Sequence, residues 1–164
     1  MKKRVLSILC SLTLLGSMMA GNCINASASE NEKIIDGSSL TTNEESVGIT
    51  PNALTRGEHL MTGECSISKA GTKRIYTYGA TTANHTVDYL AVIVYVDRYN
   101  EEKERWDQID VWAKEDNNDY FICTSKSITV DRGYYYRVHA NHLVEKDGVG
   151  EETASVTDGI LVPK

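Results

Sequence analysis

The chain has 164 residues, 17 of them basic and 23 acidic, giving a formal charge of −6. That length allows one domain of ordinary size and excludes a large multidomain enzyme. The acidic balance argues against the basic face that nucleic-acid binding needs.

Met1-Lys2-Lys3-Arg4 is a basic start, Val5 to Ala20 is an uncharged apolar run, and Ala26-Ser27-Ala28 is a small-residue cleavage pattern. This order predicts a secretory signal peptide removed after Ala28. The apolar run is shorter than the roughly 20 residues that a bilayer span prefers. Asn22 stands before Cys23 where a lipoprotein signal needs a small residue, which argues against lipidation. Removing the leader takes away Lys2, Lys3 and Arg4 and no acidic residue, so the charge moves from −6 to −9. Cys10 and Cys23 leave with it, and Cys65 and Cys123 remain. After Ala28 there is no further apolar run of membrane length. The chain is expected to be secreted, extracellular and without a membrane span.

Residues 29–56 are rich in Ser, Thr, Asn and Glu, with five acidic residues, two basic ones and no aromatics. Such a composition predicts a disordered acidic spacer, because it offers little apolar surface to offset ordering entropy. The folded domain is expected over residues 57–164.

No proline occurs between Asn52 and Val162, which suits continuous sheet. Seven strands are expected, at residues 64–69, 73–80, 87–99, 106–114, 120–130, 134–144 and 153–162. The run VDYLAVIVYVDRY at 87–99 is the most apolar and reads as a central strand, its β-branched residues arguing against helix. In the following strand, strict alternation puts Trp106, Gln108, Asp110 and Trp112 on one face. Polar turns fall at Asp116–Asp119 and Asp131–Gly133, and a loop at Glu145–Gly150. Several short strands with turn signals and no helical period predict an all-β, two-sheet antiparallel sandwich of immunoglobulin or fibronectin III-like type, with a small barrel as the alternative.

Tyr136-Arg137-Val138-His139-Ala140, a Gly-containing loop, and Glu152 to Thr157 resemble the last hairpin of a fibronectin type III-like domain. A longer resemblance runs from Gly57 to Ile160 through Gly79-Ala80-Thr81-Thr82-Ala83, Val87-Asp88, Trp106, Gly133 to Val138, His142, Glu152 and Thr157-Asp158-Gly159-Ile160. This pattern is similar to an uncharacterised family of small secreted proteins of Gram-positive, clostridia-like bacteria, a domain of unknown function. The resemblance implies secretion and a single domain, and no chemistry.

In an oxidising compartment Cys65 and Cys123 are a disulfide candidate. The alternative is two free thiols, since cysteines in one sheet with a strand between them stand roughly 10 Å apart and cannot bridge. His139 and His142 form H-x-x-H near Glu145, Glu151 and Glu152. Three residues apart on a strand they point to opposite faces, which disfavours a shared metal. The acidic turns supply oxygen atoms without the EF-hand spacing calcium would call for. No G-x-S-x-G, H-E-x-x-H or phosphate loop is present. No catalytic residue, metal ligand or cofactor is therefore expected.

The aromatics offer the best remaining clue. Tyr76, Tyr78, Trp106, Trp112 and Tyr135 are the candidate binding residues, able to form an exposed strip for protein or glycan, against the competing reading that they pack the core. The leading expectation is a secreted, monomeric, non-enzymatic interaction module for an extracellular or cell-surface protein or glycan. A secreted hydrolase or metal-dependent enzyme using His139 and His142, and a small secreted toxin or antimicrobial protein, are the alternatives.

Overall fold

Two β-sheets face each other across a core of aliphatic side chains. The computed structural model describes residues 33–51 and 57–164. The predicted leader and its cleavage site at Ala28 lie outside the described residues. Among the described residues there are eleven strands and no helix. They are β1 (Ile34–Ile35), β2 (Ser38–Thr41), β3 (Glu45–Ile49), β4 (Leu60–Gly71), β5 (Arg74–Val87), β6 (Tyr89–Asn100), β7 (Arg105–Asp116), β8 (Asp119–Thr129), β9 (Tyr134–Lys146), β10 (Val149–Val156) and β11 (Gly159–Val162). One sheet runs β1-β2-β11-β9-β6-β7, with β10 also paired to β9, and the other runs β3-β4-β5-β8. All pairs are antiparallel except β2 with β11. The all-β sandwich expected from the sequence is the architecture found.

The central strand β6 lies between β7 and β9 and turns Leu90, Val92, Val94 and Val96 inward, all fully buried. Val138, Ala140, Tyr136 and Val144 from β9 join them, and Cys65, Ile67, Ile75 and Ile122 come from the facing sheet. Burial of this aliphatic surface is the main force holding the sheets together.

Three expectations are corrected. First, residues 33–51 are not a disordered spacer. They supply β1, β2 and β3: β1 pairs with β2, β2 with β11, and β3 with β4. The apolar surface they lack is replaced by main-chain pairing to strands already in place. Second, the predicted last strand is two, β10 and β11, separated at Thr157-Asp158. Third, the loop predicted at Glu145–Gly150 is a tight hairpin. Asp147 and Gly148 take φ of 51° and 79°, and Lys146 pairs Val149, the geometry of a two-residue turn whose twist matches the strands. Asp36 and Gly37, with φ of 48° and 79°, repeat the device between β1 and β2.

Candidate functional site

Along β5, alternate residues face the core and the solvent. Ile75, Thr77, Gly79 and Thr81 point inward, while Tyr76 and Tyr78 point out. Register extends the outer face across the sheet. Glu45, Ser68, Tyr76 and Ser127 form one row; Val47, Ser66, Tyr78 and Ser125 the next; Ile49, Glu64, Ala80 and Cys123 the third; Thr62, Thr82 and Phe121 the fourth. Val47 and Ile49 are 60% and 62% exposed, and Tyr76 and Phe121 are 42% and 41% exposed. The result is a sheet face bearing two tyrosines and three exposed apolar side chains among serine and threonine hydroxyls and the carboxylates of Glu45 and Glu64. Tyr78 is half-buried in it, and burial, with Cys123 and Glu64 alongside, pushes its phenol up to about 12.

The five aromatics proposed from sequence do not form one strip. Tyr76 and Tyr78 share this outer face. Trp106 and Trp112 do not share a face, because Val96 pairs Asp110 and Asp97 pairs Gln108, leaving Ile109 as an extra residue. This β-bulge reverses the alternation between the two tryptophans. Trp112 therefore points inward opposite Val94, donating from Nε1 to Thr124 Oγ1 at 3.2 Å. Trp106 lies beneath the β1–β2 turn, donating from Nε1 to the Ile35 carbonyl at 3.0 Å. The guanidinium of Arg137 sits 4.6 Å from its ring centroid. Tyr135 is half-buried on β9, opposite Leu161.

Cys65 and Cys123 are free thiols, which corrects the predicted disulfide. Both lie in the four-stranded sheet with β5 between them. Cys65 is opposite Gly79 and Cys123 opposite Ala80, so their side chains leave opposite faces. Cys65 is fully buried, and burial pushes its thiol up to about 11.

His139 and His142 also leave opposite faces. His139 stacks on Tyr95, ring centroids 4.5 Å apart and planes within 3°. Its Nε2 is 3.5 Å from Asp97. Asp97 also accepts a 3.0 Å bond from Arg137 Nε. Burial opposes ionisation of Asp97, yet His139 and Arg137 hold its carboxyl below the usual range. Arg137 continues to the Asp36 carbonyl at 3.2 Å and Ser38 Oγ at 3.1 Å, which ties down the N-terminal hairpin. His142 is fully buried, with Nδ1 3.0 Å from Thr81 Oγ1 and Nε2 2.8 Å from Ser155 Oγ. Burial lowers its pKa to about 4, so the ring is neutral. The two histidines converge on no common point. Among the described residues no group of three or more His, Cys, Asp or Glu side chains is placed to hold a metal.

A groove of about 440 Å³ at one end of the sandwich is lined by Arg98, Arg132, Lys164, Glu101 and Tyr134 among others. Its charges are of both signs, and Arg98 is committed to Asp131 and to the Tyr134 ring. Among the described residues no helix is long and apolar enough to cross a membrane.

Over residues 28–159 the chain matches DUF6147, a family of unknown function, and it belongs to that family. No curated protein matches it.

Proposed function

We propose that this member of the family is a secreted, non-enzymatic interaction module that binds an extracellular or cell-surface protein or glycan through the outer face of its four-stranded sheet. One observation carries the reading. Tyr76 and Tyr78 are neighbours on that face, with Val47 and Ile49 exposed on its edge strand β3 and Phe121 on the opposite edge strand β8, and aromatic side chains are enriched where protein surfaces meet partners. Tyrosines pair an apolar ring with a polar tip, and the surrounding hydroxyls donate and accept hydrogen bonds, a combination suited to sugar rings or a partner's backbone. Secretion rests on the N-terminal sequence pattern, and the family match begins at residue 28, where that leader is expected to end.

The test is capture of partners by the immobilised mature chain from cell-envelope fractions and on a glycan array, with Tyr76→Ala/Tyr78→Ala beside it. Binding that disappears in the double variant, at unchanged circular dichroism, supports the face as the site. Binding that persists at full strength refutes it.

A further inference from the structure

His59, just before β4, and His85, near the end of β5, are 26 residues apart in sequence, yet His59 Nδ1 and His85 Nε2 stand 3.2 Å apart. Their rings meet edge-on at 87°, centroids 5.1 Å apart. Main-chain bonds hold the two segments together. Asn84 N donates to the His59 carbonyl at 2.8 Å, and Asn84 Nδ2 donates to the Glu58 carbonyl at 3.0 Å. From β10, the Glu151 carboxylate accepts the amides of His59 at 3.1 Å and Leu60 at 2.7 Å.

We propose that His59 and His85 form a two-imidazole surface site for a divalent transition-metal ion, Cu²⁺ foremost. Imidazole nitrogen suits Zn²⁺, Ni²⁺ and Cu²⁺, and Cu²⁺ binds most tightly in the series. With metal–nitrogen bonds of about 2.0–2.1 Å, two ligands on one ion stand about 2.9 Å apart at a right angle and about 3.3 Å apart in a tetrahedron. The observed separation falls between these values, so the nitrogens are already spaced as ligands.

The neutral pair shares one proton, one ring donating to the other. The metal takes that proton's place, and the displaced proton passes through solvent to the other nitrogen of the ring that donated it, so both imidazoles bind in their neutral form. A small rotation of the rings aims both lone pairs at one ion, and His85 is exposed and free to make it. The Glu151 carboxylate, held against the His59 amide at 3.1 Å, places a negative charge beside the pair. With two protein ligands, the remaining positions stay open to water, which makes the site exchangeable rather than structural. None of its residues belongs to the tyrosine face.

The test titrates CuCl₂ into the full chain at pH 7.4 by calorimetry, with electron paramagnetic resonance reporting the nitrogen ligands. His59→Asn, His85→Asn and His139→Asn are compared. One ion per chain is expected, weakened about tenfold or more by either of the first two substitutions and unaffected by the third. In the unsubstituted chain, Cu²⁺ should broaden the amide resonances around residues 59 and 85 before any others. Equal affinity in all variants, broadening centred elsewhere, or no copper binding at micromolar concentrations would overturn the proposal.

Discussion

Lowering the pH from 7 to 5 should weaken the fold through one side chain, His142. In the native state its ring sits between the sheets, bonded to Thr81 and Ser155, with its pKa lowered from 6.5 to about 4. The unfolded chain keeps a histidine near 6.5. Between those two values the unfolded chain takes up a proton that the folded chain refuses. Stability from this group is therefore complete above about 6.5 and falls as pH drops towards about 4. Linkage between these pKa values gives a loss of about 2 kcal/mol from pH 7 to pH 5. Urea denaturation at both pH values measures it, with His142→Gln as the reference that cannot titrate. The variant should be less stable at pH 7, and its stability should depend less on pH by about 2 kcal/mol. The other histidines are common to both chains and cancel. Equal pH dependence in the two, or a His142 ring resonance titrating near 6.5 in the native chain, would refute the argument.

Three further outcomes follow from the packing. Arg137→Ala strands the nearly buried Asp97 carboxylate and should cost about 3–5 kcal/mol in chemical denaturation, with Trp106 fluorescence shifting red as its cover loosens. Gly63→Ala drives a methyl into the His142 ring and should lower stability by about 1–3 kcal/mol, read as a fall in melting temperature. Iodoacetamide without reductant should label Cys123 on the native chain and reach Cys65 only after unfolding. A chain with both thiols blocked before any reduction would overturn the strand register.

Much of the sandwich was legible because alternation is a strong signal wherever one face is buried. The run Tyr136, Val138, Ala140 continues inward to His142 in the structure as in the sequence. The β1–β2 hairpin was legible too, in the Asp36-Gly37 turn flanked by Ile34-Ile35, but the polar composition around it outweighed that cue. Composition reports burial, whereas strands β1 to β3 are held largely by main-chain pairing, which leaves no mark on side-chain type. Residues 81–87 hid the second half of β5 for a related reason, since Thr81 is polar yet packs inward on the Ala91 carbonyl at 2.8 Å. The tryptophan faces were misassigned because one extra residue, Ile109, inverts everything beyond it. The Cys65–Cys123 separation depends on register between strands distant in sequence, which no local pattern encodes, and the His59–His85 approach depends on the register shifts at both ends of the β4–β5 hairpin, which alternation alone does not reveal.

The parallel pairing of β2 with β11 places Leu40 beside Gly159, and Ser38 Oγ donates to the Thr157 carbonyl 119 residues further along. A chain that emerges amino-terminus first must leave one side of β2 unpaired until β11 arrives. Closure of the long loop between them delays assembly. The seven-stranded sheet therefore cannot be finished on a chain still being delivered. Truncation before β11 should release the β1–β2 hairpin along with it, making β11 a checkpoint for completing the seven-stranded sheet.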